Sequence, residues 1–336
     1  MPNIKQILSS LHFRKITLKF VFSDSYWMVD LKNHVFPVKK YRLIYERLLS
    51  MGARKENFIP AERAAVEDLL LVHSSKYVRK VQSGRLSQAE KMLLELPYSP
   101  ELFDFGLLHV GGTIQAARIA LQEGIALNLG GGFHHAFEDH GEGFCVFNDV
   151  AVAVEKCIRE GRIGRAMVVD CDVHQGNGTA AIFSGREDIF TFSIHQMDLY
   201  PARKSPSSLD VELWSGDGDA KYLSLLRNHF PRLYKEFRPD VVFFLAGADP
   251  YERDQLGGLN LSVEGLKERG RIVVGEARKL KIPVVILLAG GYAFDVEDTV
   301  GIHLNTIKTA QKIHRRLFFK IPKTAPAPPG KEEQNT

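Results

Sequence analysis

The chain has 336 residues, of which 45% are apolar and 25% are charged, and its formal net charge is +4. This composition is typical of a soluble globular protein, and the small net charge without a dense basic patch argues against a nucleic-acid-binding function. The sequence has no apolar run of about 18 or more residues that would span a membrane, and its three scattered cysteines indicate a reducing, cytoplasmic compartment rather than a disulfide scaffold.

In the first part of the chain, the apolar spacing predicts mainly helices. The predicted elements, in order, are a basic segment with an edge strand over residues 1–20, a helix over 34–52, two helices within 61–95 and a helix over 103–122. Gly52 and Gly124 follow two of these helices as C-terminal stops, and Pro97 and Pro100 indicate a surface loop.

From residue 125 onward, short apolar strands alternate with helices. The predicted strands are 125–129, 165–170, 189–194, 241–245 and 284–288, and the helices are 149–160, 178–184, 219–237, 263–280 and 296–317. Pro231 should bend or split the helix that contains it. The alternation predicts an α/β fold with a parallel sheet between two helical layers. The Pro-rich, charged end of the chain over 321–336 is predicted to be a disordered tail.

Polar clusters follow four of the predicted strands. They are GGGFHH at 130–135, DCDVH at 170–174, AGADP at 246–250 and AGGY at 289–292. Because the carboxyl ends of parallel strands meet at one edge of a sheet, these clusters are expected to come together.

The second and third clusters contain candidate metal ligands. Asp172 and His174 stand two residues apart, so their side chains point the same way in extended geometry. With Asp249 they offer one imidazole and two carboxylates, a set that suits a divalent metal. Three protein ligands leave a position open for water and substrate, as in a catalytic site. The alternative for Asp249 is a turn residue before Pro250.

The first and last clusters contain candidates for proton transfer. An imidazole near the metal, from His134 or His135, could exchange a proton with bound water and a leaving group. Asp170 is the candidate partner for the ring of His134. Asn177 is the candidate partner for His135, and because an amide carries no charge it should favour the imidazolium less than an aspartate does. The phenol of Tyr292 could face a developing oxyanion. Surface histidines and a packed aromatic ring are the alternatives.

Residues in Gly-rich or Pro-rich loops are candidates for the wall of a narrow tunnel, although ordinary core packing would also account for them. They are Gly143 and Phe144, Tyr200 before Pro201, and Leu256 before a Gly-Gly pair.

Together these motifs resemble the zinc-dependent histone deacetylase family, which has the arginase/deacetylase fold. GGGFHHA, GFCVFND, VVDCDVHQGNGT, AGADPYERDQLGGL and AGGY occur in the family's order. The His-Gln-Gly-Asn-Gly motif, Tyr-Pro at 200–201 and the segment 254–259 are most similar to the class IV branch and its bacterial relatives. The resemblance implies one α/β catalytic domain over residues 1–320, with a largely eight-stranded parallel sheet between helices.

The resemblance also implies roles for individual residues. The implied site consists of the zinc ligands Asp172, His174 and Asp249, the histidines His134 and His135 with Asp170 and Asn177 behind them, Tyr292 on the acyl carbonyl, and Gly143, Phe144, Tyr200 and Leu256 along the tunnel for an acyl-lysine stem. His135 is the preferred general base and acid, and Fe²⁺ or Co²⁺ would also suit the ligand set. A structural potassium ion is implied at Asp170, Asp172, His174, Ser193 and Ile194.

Two positions concern the substrate and the product. Arg42 matches a family arginine that lines an internal channel for the released acid. Many lysine deacetylases have a rim aspartate that clamps the substrate peptide, and the segment LPYSPELFDFG places Tyr98 there, with Glu101 close but shifted. This departure favours small acylated amines and long-acyl lysines.

The predicted function is metal-dependent hydrolysis of the amide of an acylated amine, with an acyl-lysine protein or peptide as the preferred substrate. An acetylpolyamine or another small acylated amine is the first alternative. A non-catalytic acyl-lysine-binding protein is less favoured because both histidines and Tyr292 are present, and a two-manganese ureohydrolase would need more carboxylates near 170–174. No feature of the sequence indicates an oligomeric state.

Overall fold

The computed structural model of the chain describes residues 17–318, so the predicted tail over 321–336 lies outside the described residues. The strands in this part of the chain are β1 (Lys19–Phe22), β2 (Phe58–Pro60), β3 (Ile125–Asn128), β4 (Ala166–Asp170), β5 (Ile189–Gln196), β6 (Leu209–Leu213), β7 (Val241–Leu245) and β8 (Val284–Leu287). The helices are α1 (Lys39–Ser50), α2 (Val66–Leu69), α3 (Ser75–Gln82), α4 (Gln88–Leu94), α5 (Glu101–Glu123), α6 (Asp149–Arg159), α7 (Asn177–Ile182), α8 (Asp219–Phe237), α9 (Val263–Lys279) and α10 (Val296–Phe318).

The strands form one parallel sheet in the order β2-β1-β3-β8-β7-β4-β5-β6. Every residue of β3, β4, β7 and β8 is buried, because helices cover both faces of a parallel sheet. The predicted fold, a largely eight-stranded parallel sheet between helical layers, is confirmed. Within residues 17–318, every helix is too short or too polar to cross a lipid bilayer.

The prediction for the sheet edges is wrong. β1 lies between β2 and β3 rather than at the edge, and the outermost strands β2 and β6 are absent from the prediction. β2 has only three residues, and β6 has the sequence LDVEL, in which polar and apolar residues alternate. Neither segment has the continuous apolar run that identifies a buried parallel strand.

The helices also differ from the prediction at two places. Residues 61–95 contain three helices instead of two, and the hydroxyls of Ser74 and Ser87 accept hydrogen bonds from the first turns of α3 and α4. α8 continues through Pro231 without a split. Pro231 is exposed, whereas Phe230 and Tyr234 are buried in the core, so packing of the turns on both sides of the proline holds the helix in one piece.

The central strands end at the same level of the sheet. Asn128 of β3 is aligned with Leu287 of β8, and Leu287 is aligned with Leu245 of β7. Leu245 is in turn aligned with Asp170 of β4. The four loops that follow these residues therefore leave the sheet side by side, which is the arrangement expected for a site in a parallel α/β sheet.

The burial of β7 gives a test of the core. Phe243 is completely buried, so Phe243→Ala should lower the free energy of unfolding by about 3–5 kcal/mol through lost apolar contact and an unfilled cavity. Urea denaturation followed by circular dichroism measures this change. Phe294→Ala is the matched control because Phe294 is 79% exposed, and its effect should stay within about 0.5 kcal/mol. Equal effects of the two substitutions would contradict the placement of Phe243.

Candidate metal centre and active site

Three buried side chains at the carboxyl end of the sheet form a candidate metal site. Among the described residues, Asp172, His174 and Asp249 each offer one ligand atom, and these atoms lie within 4.8 Å of one another. His174 Nδ1 is 3.1 Å from Asp172 Oδ1 and 3.7 Å from Asp249 Oδ2. The structure therefore brings together the three residues that the sequence predicts as metal ligands.

Backbone amides orient the two carboxylates. The Val173 amide donates to Asp249 Oδ1 at 2.9 Å, and the Gly290 amide donates to Asp172 Oδ2 at 3.0 Å. Asp249 Oδ2 is buried and has no hydrogen-bond partner. A Cβ atom at Gly290 would lie 2.0 Å from this same oxygen, so only glycine lets the AGGY loop approach so closely. Asp249 Oδ2 therefore lies in a tightly packed part of the site without a hydrogen-bond partner.

The charges of the site favour a bound cation. Burial opposes protonation of His174, yet hydrogen bonds and charge from Asp172 and Asp249 raise its pKa to about 10. Burial and the neighbouring Asp172 charge raise the pKa of Asp249 to about 7. Both carboxylates lie beside the His174 ring, and each favours a positive charge there. The oxygen without a hydrogen-bond partner and the two negative carboxylates fit a divalent metal held by one nitrogen and two oxygen ligands.

His134 and His135 lie beside this cluster with different partners. His134 Nδ1 is 2.6 Å from Asp170 Oδ2, and His135 Nδ1 is 2.7 Å from Asn177 Oδ1. Burial opposes the imidazolium of His134, but the charges of Asp170 and Asp172 raise its pKa to about 9. Burial and the positive charge of neighbouring His134 hold the pKa of His135 well below its usual value. The pair therefore consists of one charged and one neutral ring.

Hydrogen bonds from side chains and to a carboxylate fix the backbone of the loop that carries Tyr292. The Tyr292 amide donates to Asp254 Oδ2 at 2.7 Å, and Gln255 Nε2 donates to the Tyr292 carbonyl at 2.8 Å. Lys40 Nζ donates to the Ala289 carbonyl at 2.7 Å. Burial raises the pKa of the Tyr292 phenol well above its usual value, and the nearby carboxylates add to this effect. Tyr292 is therefore a hydrogen-bond donor at neutral pH.

A cavity of about 410 Å³ leads to these groups. It is lined by both histidines, Asp172, His174 and Tyr292, and by Gly143, Phe144, Tyr200 and Leu256, all predicted as site or tunnel residues. A Cβ atom at Gly143 would lie 2.8 Å from His135 Cδ2. Phe144 has a φ angle of 68°, and a non-glycine residue in this left-handed region indicates a locally strained backbone at the cavity wall.

Two residues lie elsewhere than expected. The Tyr98 hydroxyl donates to the Val81 carbonyl at 2.9 Å, and Tyr98 does not line the cavity, whereas Glu95 does. Arg42 is exposed and pairs with Glu46, so it does not line an internal channel. Both corrections have a local cause: Glu95, directly after α4, has a φ angle of 56° and lines the cavity, and Arg42 lies on the exposed side of α1.

Lys40, which the sequence reasoning missed, is the buried cation of α1. It is completely buried, and burial lowers its pKa to about 8 against the opposing charges of Asp249 and Asp172. Its burial could be predicted from the sequence, because the buried face of α1 consists of residues 40, 41, 44 and 48 at helical spacing. Glu142, Asp254 and Asp149 were also missed, and no spacing pattern singles them out.

The positions predicted for potassium lie next to the metal cluster. Asp170 at the end of β4 is aligned with Ser193 of β5, and Ile194 is the next residue along β5. Asp172 and His174 follow β4 directly. All five residues are buried.

Comparison with known proteins is consistent with this geometry. The family model of the histone deacetylase domain matches residues 34–307. An uncharacterized protein of Picosynechococcus sp. is 37% identical over 295 residues, which cover 88% of this chain and 98% of that protein. Histone deacetylase 2 of Arabidopsis thaliana is 32% identical over 307 residues, covering 86% and 79%. The crystal structure of the HDA15 HD domain has the same fold, with a TM-score of 0.74 and 21% identity over 88% of each chain.

The candidate metal site is tested by Asp249→Asn. An amide cannot replace the anionic oxygen that completes the ligand set, so the purified variant should lose most of its bound divalent metal, measured by elemental analysis. Asp198→Asn is the matched control because Asp198 is exposed, and its metal content should equal that of the unsubstituted protein. Full metal occupancy in the Asp249 variant would show that this residue is not a ligand.

Proposed function

The chain belongs to the histone deacetylase family, and we infer that it is a deacetylase, a hydrolase that cleaves the amide bond between an acyl group and an amine. Acyl-lysine is the proposed substrate class. The observation that carries this proposal is that two of the candidate metal ligands, Asp172 and His174, line one cavity together with the two differently paired histidines and Tyr292. Such a cavity offers a cation site, a neutral base and a phenol donor to the same small group.

We propose zinc as the resident metal, held by Asp172, His174 and Asp249. The free Asp249 Oδ2 atom supports this assignment, and the mixed nitrogen and oxygen ligands would also accept Fe²⁺ or Co²⁺. When bound, such an ion acts as a Lewis acid towards the substrate carbonyl and water. A structural potassium ion at Asp170, Asp172, His174, Ser193 and Ile194 is part of the proposal, supported by the buried position of these residues.

The two histidines are proposed to act in different ways. His135 is neutral, so its free ring nitrogen accepts a proton from the attacking water and later delivers it to the leaving amine. The imidazolium of His134, paired with Asp170, places a positive charge beside the reacting groups. Each proton transfer of this kind contributes roughly 10²–10⁴-fold to the rate. The contrast between an aspartate partner and an asparagine partner supports this division of roles.

Tyr292 is proposed to donate a hydrogen bond to the carbonyl oxygen as negative charge develops on it. Its phenol stays protonated because the site around it is buried and negatively charged. Asp254 and Gln255 fix the backbone of Tyr292 on both sides. The donor is thus positioned before the substrate arrives, which avoids a cost of reorganisation during the reaction.

The lining of the cavity suits a slender acylated stem, which we propose is the part of the substrate that enters. Aromatic side chains, including Phe144 and Tyr200, line it. Glu95 adds a carboxylate to this lining, which supports a second candidate substrate, an acylated polyamine whose free ammonium group would pair with Glu95. Burial raises the pKa of Glu95, and the negative charge of Glu142 adds to this effect.

Replacement of Tyr292 by phenylalanine removes the phenol donor and keeps the ring. Turnover of an acetyl-lysine peptide should fall by about 10²–10³-fold, the usual effect of losing one oxyanion donor, while the metal content measured by elemental analysis stays unchanged. Tyr98→Phe is the matched control, because the Tyr98 hydroxyl bonds to Val81 outside the cavity. Unchanged turnover in the Tyr292 variant would refute the proposed role.

A substrate panel tests the proposed substrate class. Acetyl-, octanoyl- and myristoyl-lysine peptides are compared with acetylpolyamines by kcat/KM, and we expect a lysine peptide to be the best substrate. Glu95→Gln should leave the value for a neutral lysine peptide unchanged and lower the value for a polyamine, because only the polyamine carries a charge for Glu95. If a polyamine has a higher kcat/KM than every peptide, the substrate class is small acylated amines rather than acyl-lysine.

A further inference from the structure

Asn177 connects His135 to a carboxylate that the proposed mechanism does not use. Asn177 Oδ1 is 2.7 Å from His135 Nδ1, and Asn177 Nδ2 donates to Glu142 Oε1 at 2.7 Å. Asn177 is 2% exposed, and the side chain of Glu142 is 15% exposed. The contact is therefore made largely out of water, where hydrogen bonds of this kind are strong.

The carboxylate decides which way the amide of Asn177 points. An ionised carboxylate only accepts hydrogen bonds, so the amide group facing Glu142 must be the NH₂ group. The amide oxygen then faces His135 and can only accept a hydrogen bond. His135 Nδ1 must consequently carry the hydrogen, which leaves Nε2 of the neutral ring as the acceptor.

We propose that Glu142 is a positioning residue that acts through Asn177 to hold His135 in the tautomer with a free Nε2. The proposal rests on the proposed function, in which His135 is the general base. Without the carboxylate, the amide of Asn177 could turn over and present its NH₂ group to His135. The other tautomer would then be favoured, with a hydrogen on Nε2, and in that form the ring cannot accept a proton from water.

Other groups keep Glu142 ionised and in place. The Tyr200 hydroxyl donates to Glu142 Oε1 at 2.9 Å, and His140 Nε2 is 3.5 Å from Glu142 Oε2. Burial would raise the pKa of Glu142, but the hydrogen bonds from His140, Asn177 and Tyr200 lower it. Glu142 is therefore an anion at neutral pH with three polar neighbours, two of which share one oxygen.

A purely structural role for Glu142 predicts a different result. In that case the carboxylate only fixes the ring of Tyr200 in the cavity wall, and its loss would raise KM without changing the ring nitrogens of His135. Tyr200→Phe separates the two roles, because it removes the bond between Tyr200 and Glu142 and keeps the bond between Glu142 and Asn177. This variant should alter KM and leave the His135 tautomer as it is.

The test uses the full-length, zinc-loaded protein with ¹⁵N-labelled histidine. Glu142→Ala should lower kcat by about 10–100-fold, the usual effect of removing a group behind a catalytic residue, with little change in KM. In its ¹⁵N spectrum, the signal for a protonated Nδ1 of His135, assigned with a His135→Gln variant, should weaken or disappear. Glu142→Gln should give a smaller loss of kcat and of signal than Glu142→Ala, because a glutamine oxygen can still accept from Asn177 but its amide can also turn over.

Two further variants complete the test. Glu138→Gln removes an exposed carboxylate from the same loop and should change nothing. Asn177→Asp combined with Glu142→Ala should restore the signal for a protonated Nδ1 of His135, because an aspartate accepts from His135 in either orientation. If Glu142→Ala does not fold, Glu142→Met fills the space without a comparable acceptor and takes its place.

The outcomes separate this proposal from the proposed function. Wild-type kcat in the Glu142→Ala variant, a change confined to KM, or an unchanged His135 spectrum would each overturn the role of Glu142. Absence of deacetylase activity in the unsubstituted protein would instead refute the proposed function. The ¹⁵N spectra would still show whether Glu142 sets the tautomer, since they do not depend on turnover.

Discussion

Two carboxylates buried within reach of one ion constrain the structure around them. Asp172 and Asp249 are almost inaccessible to solvent, and burying such charges without partners costs several kcal/mol each. The fold meets this cost in part with positive groups on separate elements: His174 in the loop after β4, His134 after β3 and Lys40 on α1. One carboxylate oxygen still has no hydrogen-bond partner, and the proposed divalent cation would complete the arrangement.

Backbone amides orient the buried carboxylates of the site. Asp172 receives the amide of Gly290, and Asp249 receives the amide of Val173. The same device is used behind the site, where Asp149 receives the amides of Gly132 and Phe133. Because each carboxylate is fixed by a loop from a different strand, the register of the central strands determines the geometry of the site.

The parts of this arrangement that the sequence predicts are those with a strong local signal. The central strands are continuous apolar runs, and polar residues follow each of them directly, so both the sheet and the meeting of Asp172 with Asp249 could be read in advance. The edge strands have no such signal. The resemblance predicts Arg42 for the internal channel, whereas helical spacing places Lys40 on the buried face of α1.

Glu95 and Glu142 show why the periphery of a site is harder to predict than its centre. Both lie in loops, where no period relates a residue to its neighbours, and their contacts depend on how separate loops pack together. Glu95, the residue after α4, has a left-handed backbone and lines the cavity, which the resemblance around Tyr98 does not reveal. Glu142 meets Asn177 because the segment after β3 contacts the first residue of α7.

The two histidines show how one fold gives identical side chains different properties. Each ring has an oxygen partner at nearly the same distance, 2.6 Å for His134 and 2.7 Å for His135. The partner of His134 is an anion, which favours the charged ring, whereas the partner of His135 is an amide, which leaves the ring neutral. A neutral amide can rotate by 180° and exchange its acceptor oxygen for its NH₂ donor, whereas a carboxylate presents an acceptor oxygen in either orientation. An asparagine at this position therefore leaves the ring of His135 neutral, and the anion within reach of its amide is Glu142.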